Sequence, residues 1–136
     1  MKEKAKDIWD VIVIGGGPAG MMAAATAGAR GKMAAATAAR GGKRVLLLEK
    51  NPSLGKKLLI TGGGRCNVTN NKPDVRTLAE QYKGGSKFLF SLFSQFGVEE
   101  TIDWFKTREV SFKEENEGRL FPTTEKAETI WSTLKT

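Results

Sequence analysis

Three glycines follow the apolar run at residues 11–14 with the spacing Gly15-x-Gly17-x-x-Gly20. The first position of this pattern permits a tight turn, the second lets phosphate groups approach the main chain, and the third lets a helix pack closely on a strand. A helix that begins there directs unpaired N–H groups and a partial positive charge toward a ligand. The pattern therefore predicts a site for the diphosphate of a dinucleotide; a glycine-rich turn that binds nothing is the alternative.

Glu49 directly follows a second apolar run, VLLL at residues 45–48. A carboxylate at this strand end can accept hydrogen bonds from both hydroxyls of an adenosine ribose, and it would repel a 2′-phosphate. FAD and NAD both carry an unphosphorylated adenosine ribose, so these residue types do not separate the two ligands.

A second glycine-rich segment, LGKKLLITGGGRCNVTN at residues 54–70, follows the strand that ends at Glu49. This position places the segment at the carboxyl edge of the sheet, where open α/β folds bind ligands. Three consecutive glycines, residues 62–64, expose main chain that can approach a flat or anionic ligand. The basic and polar side chains beside them are Lys56, Lys57, Arg65, Asn67 and Thr69.

The elements that must position these segments form a strand–helix–strand unit. The short apolar runs at residues 8–14 and 45–48 predict two buried strands. The alanine-rich stretch that begins at Pro18 predicts the helix between them, because proline is tolerated in the first turn of a helix. Such a unit forms a parallel strand pair with a right-handed crossover.

Apolar spacing predicts further elements downstream. One short helical turn is expected near residues 56–60, and three helices are expected at residues 75–82, 86–96 and 98–107. A short hairpin joins residues 110–113 to residues 119–121, and a final amphipathic helix carries Ala127, Ile130, Trp131 and Leu134 on one face. The phenylalanine-rich helix at residues 86–96 and the Trp131 face are predicted to belong to the core.

The segment between the first two strands contains an 11-residue tandem repeat, residues 22–32 and 33–43, whose copies match at eight positions. Glu49 lies 29 residues after Gly20, and removing one copy leaves 18, close to the usual spacing of about 20. One continuous helix would be about 16 Å longer and would displace the second strand. We therefore expect the first copy to keep the usual helix position and the second to form an excursion from residues 28–31 to residues 41–42. The alternative is one long helix through Ala39.

The 136 residues carry a net charge of +7, which suits an anionic partner. No arginine-rich block with interleaved aromatics stands out, so nucleic-acid binding is not expected. The single cysteine, Cys66, excludes an intrachain disulfide, and the absence of histidine removes the usual zinc ligands and the usual triad base, so no metal site is expected. Asp10 and the glycines interrupt the apolar N-terminal run. We therefore expect a cytoplasmic protein without a signal peptide or membrane span.

The segments DVIVIGGGPAGMMAA, VLLLEKNPSLGKKLLITGGGRCNVTN, KFLFSLFSQF and KEENEGRLFPTTEKA together resemble a bacterial flavoprotein family. Its members are described as NAD(P)/FAD-dependent oxidoreductases, NAD(FAD)-utilising dehydrogenases or aminoacetone-oxidase-like proteins. The similarity covers almost the whole chain except the second repeat copy. It implies an α/β, Rossmann-like fold of the glutathione-reductase type, with FAD as cofactor and NAD(P)H as a candidate electron donor.

The resemblance also implies which residues contact the cofactor. Its diphosphate is expected at Gly15, Gly17, Pro18, Ala19 and Gly20, and its adenosine ribose at Glu49; Lys50 is also expected to contact the cofactor. Lys57 and the loop Gly64-Arg65-Cys66-Asn67 are expected along the flavin. No catalytic residue is assigned.

The side chains of this loop have alternative roles. Arg65 would stabilise negative charge on a reduced flavin or would pair with a carboxylate. Cys66 would be a redox partner of the flavin or a buried thiol. Asn67 would hydrogen-bond the flavin ring or a ribityl hydroxyl.

Members of this family run to several hundred residues, so the resemblance implies that residues 1–136 are the N-terminal part of an incomplete FAD/NAD(P)-binding domain. We expect a βαβ unit at residues 1–50, a glycine-rich flavin loop at 51–72, and a helical segment with a hairpin at 73–136. The expected function is the FAD-binding portion of a flavin-dependent oxidoreductase, too short for catalysis alone. A non-catalytic dinucleotide-binding module and a basic interaction domain are the alternatives.

Overall fold

The computed structural model describes residues 8–28, 43–72 and 74–135 of the chain. These residues divide into two compact units: those up to Lys56 together with Leu134 and Lys135, and those from Lys57 to Thr133. The first unit holds the glycine-rich turn at residues 15–20, and the second holds the glycine-rich loop at residues 62–64.

The first unit has the predicted strand–helix–strand order. β1 (Val11–Ile14) and β2 (Val45–Leu48) are parallel and pair in register along their whole length. α1 (Pro18–Gly28) packs against both strands. Pro18 opens the helix, where its fixed φ suits the first turn and its missing N–H would have had no helical partner.

The two strands are more exposed than the sequence predicted. β1 begins at Val11, and the side chains of Ile12 and Ile14 are 56% and 85% exposed. Leu48, at the end of β2, is exposed as well. The prediction of two buried strands is therefore wrong, because α1 covers one face of the strand pair and alternate side chains of a strand point to the other face.

α1 contains the first repeat copy as far as Gly28, and β2 begins at Val45 in its place beside β1. This arrangement agrees with the expectation that the first copy keeps the usual helix position. The second copy, from Met33 to Lys43, lies outside the described residues except for its last residue. The predicted excursion and the alternative long helix therefore fall on residues that the structure does not describe.

The second unit combines helices with a small antiparallel sheet in the strand order β3-β5-β4. The strands are β3 (Thr69–Asn70), β4 (Phe112–Glu115) and β5 (Arg119–Pro122). The helices are α2 (Val75–Glu80), α3 (Ser86–Phe93), α4 (Val98–Lys106) and α5 (Ala127–Lys135), whose last two residues belong to the first unit. A 3₁₀ segment at Leu58–Gly63 replaces the predicted single turn near residues 56–60.

The predicted hairpin and helices are confirmed with boundaries shifted by a few residues, whereas β3 was not predicted. Two residues are too few to show the alternation that identifies a strand. Within the part of the chain that the structure describes, none of the helices combines the length and apolar character needed to cross a membrane.

The core of the second unit is aromatic. Trp104, Phe105 and Phe121 are almost completely buried, and the rings of Trp104 and Phe105 meet edge to face at 4.9 Å between centroids. On α5, Ala127 and Ile130 are buried, in agreement with the predicted amphipathic face, whereas Trp131 of that face is only half-buried and is not part of the core.

The prediction that α3 belongs to the core is wrong. Phe88 is 71% exposed, Phe90 and Leu92 are exposed as well, and no residue of α3 is buried. α3 packs against α2, and Phe93 contacts Tyr82 at 5.7 Å between ring centroids. Because apolar residues surround this short helix on several sides, packing on one side leaves the others uncovered.

Candidate functional site

The first glycine-rich turn connects β1 to α1. Gly15 has a φ of +100°, in the left-handed region that favours glycine, and its N–H donates to the Leu48 carbonyl at 2.8 Å. A Cβ on Gly20 would collide with the Gly15 carbonyl oxygen and would lie 3.5 Å from Cγ1 of Val13. Two of the three patterned glycines are thus required by the turn and by the close fit of helix on strand.

Gly16, which the pattern leaves unspecified, is also required by its surroundings. A Cβ there would collide with Leu54 and would lie 3.0 Å from Oε2 of Glu49. The Gly16 carbonyl accepts a hydrogen bond from the Gly55 N–H at 2.7 Å. The segment that follows β2 therefore folds directly against the turn.

Gly17 differs from these neighbours. Its φ lies outside the left-handed region, and a Cβ on it would meet no atom of the described chain within 4 Å. Gly17, Pro18 and Ala19 are exposed at the first turn of α1, whose first N–H groups have no partner within the helix. A diphosphate resting on these N–H groups would occupy the space that a Cβ would fill, so the residues present fit the predicted dinucleotide.

Glu49 lies against the same turn. Its Oε2 accepts a hydrogen bond from the Gly16 N–H at 2.7 Å. Its Oε1 accepts two from Asn51, one from the main-chain N–H at 2.8 Å and one from the side-chain Nδ2 at 2.7 Å. Hydrogen bonds from these N–H groups hold the pKa of Glu49 below its ordinary 4.5. The main-chain N–H of Asn51 contributes most, and that of Gly16 contributes next. The structure thus brings the Glu49 carboxylate, which is ionised at neutral pH and predicted to bind the ribose, to the turn at residues 15–20 that is predicted to bind the diphosphate.

Two of the predicted basic residues, Lys50 and Lys57, are exposed. Lys50 directly follows Glu49 in the first unit, and Lys57 precedes the 3₁₀ segment at the start of the second. Their contact with a cofactor stays a prediction.

The glycines of the second loop serve the fold of the loop itself. Residues 62–64 have φ values of +56°, +67° and +83°, all in the left-handed region. The Thr61 carbonyl accepts the N–H of Cys66 at 3.0 Å, and a Cβ on Gly62 would lie 2.9 Å from Cε1 of Phe121. The loop is therefore closed on itself and packed against β5.

Arg65, in this loop, is paired with the carboxylate of Glu115 on β4. Its Nη1 lies 2.7 Å from Oε1 of Glu115 and 3.8 Å from Oε2 of Glu125, and its guanidinium lies over the Phe121 ring at 4.2 Å from the centroid. Hydrogen bonds from Arg65, and next from Lys113, hold the pKa of Glu115 below its usual value. Of the two alternatives for Arg65, the structure shows the carboxylate pairing; a role toward a flavin stays a prediction.

Cys66 is buried, and its φ of +61° is unusual for a residue with a side chain. Burial raises the pKa of its thiol, against a smaller opposing effect of a hydrogen bond with Thr61. A raised pKa disfavours the thiolate, which is the reactive form. This environment is the one that the buried-thiol alternative requires.

Asn67 is exposed next to the second loop. When its side-chain amide is oriented with Nδ2 toward the main-chain carbonyls, it donates to Thr69 at 3.0 Å and to Leu120 at 3.2 Å. An open cavity of about 330 Å³ begins beside it and is lined by Asn67, Val68, Thr69, Asn70, Lys72, Leu78, Gln81 and Tyr82.

Three residues of these two sites were not identified from the sequence: Asn51, Glu115 and Phe121. Asn51 had a local signal, because asparagine side chains commonly hydrogen-bond groups two residues away. Glu115 and Phe121 had none, since about fifty residues separate them from Arg65.

Comparison with known proteins identifies the family. Residues 26–136 match the HI0933-like protein Rossmann domain. The chain therefore belongs to this family, which confirms the resemblance found in the sequence and the Rossmann-type fold. The matched region begins within α1, after the glycine turn at residues 15–20.

Two curated relatives share this similarity. A 3-dehydro-bile acid delta(4,6)-reductase of Clostridium scindens is 33% identical over 124 residues, 90% of this chain and 27% of the relative. A ribosomal RNA dihydrouridine synthase of Escherichia coli K12 is 33% identical over 113 residues, 83% of this chain and 25% of the relative. The chain thus spans about a quarter of the length of either relative.

Proposed function

We propose that this chain is the FAD-binding portion of a flavin-dependent oxidoreductase that takes electrons from NAD(P)H. The proposal rests on one observation about Gly17. Neither its backbone conformation nor its packing within the described chain requires a glycine at this position. A diphosphate in close approach to the main chain gives this position a physical reason. Membership of the family supports FAD as the dinucleotide.

In the proposed complex, this chain binds and orients the cofactor, and FAD supplies the redox chemistry. The N–H groups of Gly17, Ala19 and Gly20 hold the diphosphate, and ionised Glu49 accepts a hydrogen bond from the adenosine ribose. Lys56 and Lys57 offset the charge of the diphosphate, and Lys50 contacts the cofactor. The loop Gly64-Arg65-Cys66-Asn67 lies along the flavin, as the family resemblance implies, with Arg65 paired to Glu115.

The names of the two relatives support reductive chemistry but no particular substrate. One is a reductase of a bile acid and the other forms dihydrouridine in ribosomal RNA, yet both are 33% identical to this chain. Similarity at this level therefore does not fix the substrate. That the protein is cytoplasmic and does not bind nucleic acid remain predictions.

Titration of the purified chain with FAD tests the binding site. We expect Gly17→Ala to weaken FAD binding at least about tenfold, while the free energy of unfolding changes by less than about 0.5 kcal/mol. Gly28→Ala is the matched control at the other end of α1, because its Cβ would make only an ordinary contact, 3.8 Å from Cγ2 of Val45. Equal FAD affinity of the wild type and Gly17→Ala would contradict the proposed site.

Anaerobic addition of NADH or NADPH to the FAD-bound chain tests the redox part of the proposal. Bleaching of the flavin absorbance supports an oxidoreductase. Bound flavin that neither donor bleaches would contradict reduction of this portion by NAD(P)H and would leave FAD binding supported. A colourless protein whose melting temperature ignores FAD, ADP and NAD would favour the basic interaction domain.

A further inference from the structure

The Glu49 carboxylate has fewer free acceptor positions than a contact with two ribose hydroxyls requires. An ionised carboxylate offers about four lone-pair positions. Two on Oε1 are filled by the main-chain and side-chain nitrogens of Asn51, at 2.8 and 2.7 Å. One on Oε2 is filled by the Gly16 N–H at 2.7 Å. These three hydrogen bonds leave one acceptor position, on Oε2, for a ligand.

We propose that Asn51 is a positioning residue that limits Glu49 to a single ribose hydroxyl. This inference rests on the proposed function, in which Glu49 contacts the adenosine ribose. Because both donors of Asn51 converge on Oε1, a second hydroxyl would have to displace one of two short hydrogen bonds. The sequence predicted that Glu49 accepts hydrogen bonds from both ribose hydroxyls. This proposal reduces the number to one.

The same hydrogen bonds orient the remaining acceptor. Asn51 and Gly16 hold the carboxylate from opposite oxygens, so its rotation is restricted before any ligand arrives. Restricting a side chain in its binding orientation reduces the conformational entropy lost on binding. The single free position on Oε2 therefore accepts a hydrogen bond from one ribose hydroxyl. The other hydroxyl makes no hydrogen bond with Glu49.

Binding of ADP, 2′-deoxy-ADP and 3′-deoxy-ADP to the full chain, measured by calorimetry, tests this inference. In the wild type we expect one deoxy analogue to bind within about twofold of ADP and the other at least about fivefold more weakly, the loss of one hydrogen bond. In Asn51→Ala, the vacated position on Oε1 becomes available to the second hydroxyl. Both deoxy analogues should then bind more weakly than ADP to that variant.

The affinity ratios are taken within each protein, so a general loss of stability in Asn51→Ala would not produce the expected change. Wild-type protein that discriminates against both deoxy analogues, or against neither, would overturn the single-hydroxyl inference while ADP binding upheld the site. An unchanged one-sided pattern in Asn51→Ala would overturn the role of Asn51. If ADP itself does not bind, the proposed function fails, and the inference fails with it.

Discussion

The two glycine-rich segments look alike in the sequence, but their glycines are required for different structural reasons. In the turn at residues 15–20, Gly17 is exposed beside the unpaired N–H groups of a helix, with open space where a Cβ would be. In the loop at residues 62–64, each glycine has a left-handed φ, and Gly62 is packed against Phe121. The first segment leaves main chain available to a ligand, whereas the second uses its glycines to fold on itself.

This difference shows how a glycine-rich motif can be interpreted from a structure. A glycine required by its φ or by a neighbouring atom of the same chain has an internal reason, as Gly15, Gly20 and Gly62 have. Gly17 is required by neither, and it differs from Gly28, which also has no internal reason, because it is exposed at the first turn of α1 beside N–H groups that can bind a ligand. The ligand proposal therefore rests on the first segment. Substitutions in the first segment should change binding, and substitutions around the second should change stability.

The largest expected effect is on the support of the second loop. Phe121 is 1% exposed, lies against Gly62 and carries the Arg65 guanidinium on its ring. Phe121→Ala should lower the free energy of unfolding by about 3–5 kcal/mol, because it leaves a cavity in a packed core. Urea denaturation measures this effect.

Phe88→Ala is the matched control for that experiment. Phe88 is 71% exposed on α3, so its removal should change the free energy of unfolding by no more than about 0.5 kcal/mol. Similar losses for the two variants would show that the second loop does not depend on Phe121 as the contacts indicate.

A smaller effect on stability is expected in the first turn. In Gly20→Ala, the new methyl group collides with the Gly15 carbonyl oxygen, so the helix must move away from the strand. The expected cost is about 1–3 kcal/mol, and FAD affinity should fall together with stability. Gly28→Ala, in the same helix, is expected to be neutral or to stabilise by up to about 1 kcal/mol. A Gly20→Ala protein as stable as the wild type would mean that the turn is not packed as described.

The smallest effect is the acid sensitivity of the second loop. The folded-state pKa of Glu115 lies below 4.5 because of Arg65 and Lys113. Its carboxylate therefore stabilises the fold above the unfolded-state pKa, and this contribution is lost as the pH falls through the lowered folded-state value. Glu115→Gln should be less stable than the wild type at about pH 7 but should lose less stability on acidification to about pH 3.

Urea denaturation of both proteins at these two pH values gives the comparison. Glu80→Gln, at an exposed position on α2, controls for the loss of one negative charge. A parallel fall of wild type and Glu115→Gln would place the acid sensitivity elsewhere in the chain.

Local pattern was sufficient for much of the fold. The glycine spacing, the two apolar runs and the downstream helices each depend on residues close in sequence, and the structure confirms β1, β2, α1 and the hairpin of β4 and β5 with small boundary shifts. The exposure of Ile14 and Phe88 was not predictable in this way. An apolar side chain is buried only where another element covers it, and periodicity does not say which elements meet.

The sequence by itself determined the residue types at the candidate site: a glycine turn at the start of a helix and a carboxylate at the end of the next strand. Only the tertiary structure decided how those groups are used. It directs the Gly16 N–H and both nitrogens of Asn51 to Glu49, and it pairs Arg65 with Glu115 from a distant hairpin. The reason is physical: hydrogen bonds and ion pairs are short-ranged, so their partners depend on which chain segments the fold brings within about 3 Å of one another.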